Sequence, residues 1–101
     1  MSMDHLAPMH PGEILTEDFL VPLGMSQYRL AHAICVHPRR INEIVHGKRG
    51  VTADTALRLA RFFGTTPQFW MNIQDQYELD VAQDRLGESL GAISSMPLAA
   101  G

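Results

Sequence analysis

Residues 26–50 read SQYRLAHAICVHPRRINEIVHGKRG. Ser26 is a good helix N-cap, and Leu30, Ala31 and Ile34 then fall on one side of a helix. "CVH" is a short break. A second helix opens at Pro38, which is tolerated in a first turn, and runs to about His46 before Gly47 ends it. Its inward residues are Ile41, Ile44 and Val45. Two short helices joined by a break of three or four residues make a helix-turn-helix. Ala31 is small enough for the second helix to pack across it, and Ile34, Ile41 and Ile44 fill the angle between the two.

Helical geometry then dictates what the second helix turns outward. At about 100° per residue, Arg39, Glu43 and His46 point away from the isoleucines, with Arg40 and Asn42 on the flanks. Such a helix fits the DNA major groove. There Arg39 can donate two hydrogen bonds to a guanine edge and Asn42 can pair with adenine. Glu43, four residues after Arg39, either orients that arginine, accepts from a cytosine amine, or forms only a solvated ion pair with it. Lys48 and Arg49 follow the helix and suit phosphate better than bases. Ser26, Gln27 and Tyr28 open the first helix, where backbone amides also suit phosphate.

The charge distribution supports that reading. The 101-residue chain carries a net charge of −3, yet residues 37–50 hold four of its eight Lys and Arg. Residues 1–25 carry −4, residues 26–64 carry +5, and residues 65–101 carry −4. Phosphate is met by a patch and not by an average. The alternative is that acidic and basic helices neutralise one another within the domain.

Working outward, every periodic segment repeats at three to four residues and none alternates as a strand would. Residues 1–10 read as a loose leader with Met1, Met3 and Met9. Pro11 opens a helix over about 11–20, with Ile14, Leu15 and Phe19 on one face, which "VPLG" stops. Thr52 caps a fourth helix, with Ala56, Leu57, Leu59, Ala60 and Phe63 expected in the core. Arg58 and Arg61 are expected to pair with carboxylates of the first helix. Thr66 and Pro67 open a fifth helix reaching about Leu86, roughly 30 Å long. The prediction is one all-α domain over 11–86, a five-helix bundle with an extended C-terminal helix, followed by an unstructured tail at 87–101.

Several classes are disfavoured. No apolar run approaches a membrane span. No secretory signal pattern opens the chain, and the lone Cys35 suits a reducing cytoplasm, so a cytoplasmic protein is expected. His32, His37, His46 and Cys35 match no familiar metal-ligand spacing. No nucleophile–base motif or glycine-rich phosphate loop is present, so neither cofactor nor catalytic residue is expected.

The stretches MHPGEIL (9–15), MSQYRLAHAI (25–34) and RRINEIVHGKRGVTADTALRLARFFGTTPQFWMNIQ (39–74) together resemble the HigA-type antitoxins, small members of the XRE/Cro-like helix-turn-helix group. The resemblance covers about residues 9–80. It implies a lambda-repressor-like fold and a protein that neutralises a RelE-like, mRNA-cleaving toxin. It also implies a homodimer that binds a palindrome in its own promoter and represses the operon. Arg39, Arg40, Asn42 and Glu43 would be recognition-helix positions, and Ser26, Gln27, Lys48 and Arg49 backbone contacts. The competing reading is a helix-turn-helix repressor without a toxin partner. One position departs from the family: the turn commonly carries glycine where Cys35 stands. A left-handed conformation there costs a non-glycine residue about 1–2 kcal/mol.

The fifth helix places Phe69, Trp70, Ile73 and Tyr77 against the bundle. Beyond Tyr77, Leu79, Val81, Ala82 and Leu86 carry apolar character around more than one side. Four helices cannot cover all of that length. The excess is expected to serve as a dimer seam or as the toxin contact.

Overall fold

The computed structural model describes residues 7–98, and all regular structure within them is helical. Readings that fall on residues 1–6 and 99–101 lie outside the described residues. Three consecutive stretches, Pro11–Ile14, Leu15–Leu20 and Val21–Leu23, run on as one segment, α1. The predicted stop at "VPLG" is displaced, because the helix passes through Pro22 and ends at the left-handed Gly24 (φ 60°). Leu15–Leu20 is wound as a π-helix, with the Val21 N–H bonded to the Thr16 carbonyl. That wider turn relieves the clash a proline ring makes with the carbonyl four residues back.

α1 starts at Pro11, as predicted, and its cap is the residue before it. His10 is buried and caps α1: its Nδ1 accepts from the Gly12 N–H at 2.9 Å, while the Glu13 carboxylate accepts from the His10 N–H at 3.4 Å. Burial holds the imidazole below its ordinary pKa against the opposite pull of Glu13.

The remaining helices start as their capping residues dictate. Ser26 Oγ accepts from the Arg29 N–H (3.0 Å) and opens α2, Gln27–Ala33. His37 Nδ1 accepts from the Arg39 N–H (3.0 Å) and opens α3, Pro38–Val45. Thr52 opens α4, Ala53–Phe63, and Thr66 opens α5, Pro67–Leu86. Each oxygen or ring nitrogen satisfies an amide that the helix itself leaves unpaired. Where an unstructured tail was expected, Gly87–Ala92 forms a short 3₁₀ segment, and residues 93–98 continue exposed and without regular structure.

The core sits where the five helices meet. Leu15, Leu30, Ala31, Ile41, Ile44, Leu59 and Trp70 are all buried. A large apolar side chain removed from water in this way stabilises the fold by about 1.5–3 kcal/mol. Leu57, expected among them, is instead 59% exposed, and Thr55 is buried. The α4 stripe runs through Ala56, Leu59, Ala60 and half-buried Phe63, and Leu57 lies off it. On α5, Trp70 is buried, Ile73 and Tyr77 are half-buried, and Phe69 lies at the exposed edge.

α1 fixes the height of α3. Gly12 is buried against the last turn of α3, where a Cβ would fall inside the Ile44 carbonyl. The helix that carries Arg39 is therefore held by backbone-to-backbone contact.

Candidate nucleic-acid interface

α3 presents Arg39 and His46 to solvent, as expected; Asn42, expected on the flank, is also exposed, and Glu43, expected outward, is half-buried. Arg39 makes no ion pair among the described residues. Asn42 Nδ2 donates to Gln27 Oε1 (3.1 Å), tying the outer flank of α3 to the first turn of α2. His46 Nδ1 lies 2.8 Å from the Asn42 carbonyl.

The tandem arginines have separate surroundings. Arg40 is half-buried, and its Nη1 donates to Asp54 Oδ1 at 2.7 Å and to Thr55 Oγ1 at 3.3 Å. It therefore fastens α3 to the start of α4. Arg58 donates to the same Asp54 oxygen through Nε (2.7 Å), and through Nη1 to the Ile34 and Cys35 carbonyls (2.9 and 3.3 Å). The expected pairing of Arg58 with the first helix is thus replaced by a clamp on the turn between α2 and α3. It satisfies carbonyls that the end of α2 leaves open. Arg61 pairs with no carboxylate among the described residues. Hydrogen bonds from Arg40 first, then Arg58, hold the exposed Asp54 carboxyl below the usual carboxylate range.

Glu43 orients an arginine, but a different one from that expected. Its Oε1 accepts from Arg49 Nε at 2.9 Å. The left-handed Gly47 (φ 73°) and the Lys48 N–H bond to the Glu43 carbonyl (2.8 Å) fold the basic loop back over α3, which brings Arg49 within reach. Lys48 remains exposed and outside any ion pair among the described residues. At the start of α3, His37, Arg39, Arg40 and Arg49 line one open concavity. His37 was not a candidate; its position immediately before the Pro38 start was the available signal. On α2, Ser26 is engaged as the cap, and the exposed Tyr28 ring stacks near His32 (centroids 6.2 Å apart).

Cys35 adopts the left-handed conformation that the family meets with glycine, at φ 62°. Cys35→Gly should therefore raise stability by about 1 kcal/mol, read as a higher thermal midpoint. An unchanged or lower midpoint would show that the turn carries no strain.

On α5, Leu79 and Leu86 are exposed and Val81 and Ala82 half-buried. Among the described residues no group of three or more His, Cys, Asp or Glu could hold a metal ion, and no helix is long and apolar enough to cross a membrane.

A family model described as Helix-turn-helix matches residues 17–70, from the middle of α1 to the first turn of α5. Virulence-associated protein I of Dichelobacter nodosus is 52% identical over 80 residues, covering 79% of this chain and 74% of the relative. The crystal structure of PA4674 from Pseudomonas aeruginosa in complex with its operator DNA superposes with a TM-score of 0.87. It is 41% identical, covering 91% of this chain and all of that one. The Pseudomonas aeruginosa antitoxin HigA, solved with the higBA promoter, is 42% identical with a TM-score of 0.84, covering 90% of this chain and 99% of that one. The chain belongs to the helix-turn-helix family of HigA antitoxins. The five-helix, all-α architecture and the resemblance found in the sequence agree with these matches. The family is one of DNA-binding regulators and not of enzymes.

Proposed function

We propose that the chain is an antitoxin that binds the operator of its own operon as a homodimer and neutralises a RelE-like, mRNA-cleaving toxin. The observation that carries the DNA half is the separation of the arginines. Arg40, Arg49 and Arg58 are committed to carboxylates, while Arg39 stands exposed and uncommitted at the N-terminal end of α3. That is where a recognition helix enters the major groove. That similar proteins were solved with operator or promoter DNA supports DNA binding by this chain.

In this reading Arg39, Asn42 and His46 face bases. Arg40 positions α3, and the Glu43–Arg49 pair shapes the loop. Lys48, Arg49 and the Ser26–Gln27–Tyr28 turn face phosphate. The C-terminal half of α5 takes the toxin. Leu79, Val81, Ala82 and Leu86 supply its apolar part, and the carboxylates between Asp75 and Asp84 suit a basic partner.

Two substitutions test the DNA roles. Arg39→Ala should cost about 1–3 kcal/mol at the operator and relax one base position. Lys48→Ala should weaken all sequences alike and flatten the salt dependence by about one phosphate contact. Equal, sequence-independent losses from both would overturn the assignment. For the toxin, affinity capture from the native cell should recover a small basic protein encoded in the neighbouring reading frame. Binding to the upstream DNA without that partner would leave a repressor.

A further inference from the structure

We propose that His10 is an acid-sensitive latch: a proton on its Nδ1 breaks the cap of α1, parts α1 from α3 and weakens the hold on operator DNA. The DNA half of this inference rests on the operator-binding reading above.

The latch is built from contacts with three elements. His10 is 7% exposed. Its Nδ1 accepts from the Gly12 N–H at 2.9 Å, so that nitrogen carries no proton while the cap is made. Its ring meets Tyr77 of α5 edge-on, with centroids 4.8 Å apart and planes at 73°. On the side of the basic loop, a Cβ added to Gly47 would lie 3.9 Å from the His10 Cγ and Cδ2. The amide that His10 holds belongs to the residue that wedges against the Ile44 carbonyl. One imidazole thus joins the start of α1, the turn that leads into Lys48 and Arg49, and the middle of α5.

Protonation inverts the cap. A hydrogen on Nδ1 would point at the Gly12 hydrogen, donor against donor, and would place a cation where water hardly reaches. The surroundings do little to hold that charge. The titratable groups that face the ring are Glu13 on its own turn and Tyr77 on α5. Further along α5, Asp80 accepts from Gln76 and Glu78 from Gln74. Beside Gly47, His46 and Lys48 are exposed, and Glu43 and Arg49 are paired with each other. Burial outweighs the pull of Glu13, so the neutral ring is the one that fits. An imidazolium is expelled, and the Gly12 amide becomes a buried donor without a partner. What yields is the contact of α1 with the last turn of α3, and with it the loop at Gly47.

The direction with pH follows. The folded site disfavours the proton, so the unfolded chain binds it first. The stability that the cap contributes is complete above the ordinary imidazole value of about 6.5 and is lost as pH falls below it. The Asp54 carboxyl, held below the usual carboxylate range, titrates at lower pH than this window.

His10→Asn supplies an N-cap that does not titrate. Exposed His37 and His46 are common to both proteins, and their protonation favours phosphate, so the ratio of wild type to variant isolates the latch. From about pH 7.5 to 5.5 that ratio of operator affinities should fall on the order of 10-fold, with the helical circular dichroism of both proteins unchanged. The unfolding constant of the wild type should rise against that of the variant by up to about tenfold per pH unit. Imidazole nitrogen NMR of the wild type is a check that needs no variant. Nδ1 of His10 should carry no proton at neutral pH, and its titration should move the amide resonances of Gly12, Val45 and Gly47 together. A proton on Nδ1 at neutral pH, a titration that leaves those amides still, or an affinity ratio flat across the range would overturn the inference. So would loss of helix in step with affinity, which is global unfolding and not release of one contact. A wild type that binds no upstream DNA at neutral pH would sink the operator reading alone, and the amide shifts would still report the latch.

Discussion

Gly12→Ala should destabilise the protein by about 3 kcal/mol or more and weaken operator binding, although Gly12 touches no DNA in the proposed complex. The added Cβ would overlap the Ile44 carbonyl oxygen, and it would lie 2.8 Å from the carbonyl carbon and 3.0 Å from Val45 Cα. These are backbone atoms, so no rotamer change relieves the overlap. Neither can α1 shift alone. Its first turn is held by the His10 cap and by the Thr16 hydroxyl, which donates to the Gly12 carbonyl at 2.8 Å. The relief available is to part α1 from α3. That tilts the helix carrying Arg39 and Asn42 while leaving both side chains intact. For a domain of this size the thermal midpoint should fall by on the order of 12 °C or more. Gly91→Ala, where an added Cβ meets nothing within 4 Å, should be silent. An unchanged midpoint for Gly12→Ala would mean that the two helices are not in backbone contact.

The helix starts were legible because capping is local chemistry. Ser26, Thr52 and Thr66 each accept an amide three residues on, as their positions suggested. The helix-turn-helix was legible because Ala31, Ile34, Ile41 and Ile44 sit at helical spacing about a short break. The arginines were not legible to the same degree. Arg39 and Arg40 are adjacent and chemically identical, and periodicity separates them by only 100°. Which of them stays free depends on Asp54, fourteen residues later, and on the path α4 takes to bring it near. Arg49 reaches Glu43 only because Gly47 turns the loop back. Leu57 misled because apolar character was taken as burial, while the stripe of α4 passes through Thr55. Gln74 was overlooked among the apolar residues of α5. It lies one helical turn after Trp70, on the same inward face, and is buried. Its Oε1 accepts from the Val51 N–H at 2.7 Å, and its Nε2 donates to Glu78 at 2.8 Å. It joins α5 to the end of the basic loop, where Gly50 leaves room for it. No local pattern marks a polar residue whose partner is a loop amide so far away in sequence.

Trp70→Ala should cost about 3–5 kcal/mol, a large share of the 5–15 kcal/mol that holds a domain folded. The indole is fully buried. Its ring centroid lies 5.0 Å from Phe19 of α1, 5.0 Å from Phe69 and 6.3 Å from Phe63 of α4. Its Nε1 donates to Thr65 Oγ1 at 2.8 Å. Truncation therefore removes the packing that joins three helices and leaves a cavity among aromatic rings too rigid to collapse into it. Trp70→Phe should recover most of the loss, because the ring contacts persist and the freed Thr65 hydroxyl is only half-buried. In urea the midpoint should shift while the slope stays constant, since α1, α4 and α5 share this one cluster and unfold together. A second transition in Trp70→Ala would instead mean that α5 melts as a separate unit. In that case the loop bearing Lys48 and Arg49 would lose its Gln74 anchor before the helix-turn-helix itself unfolds, and DNA affinity would fall ahead of the loss of helix.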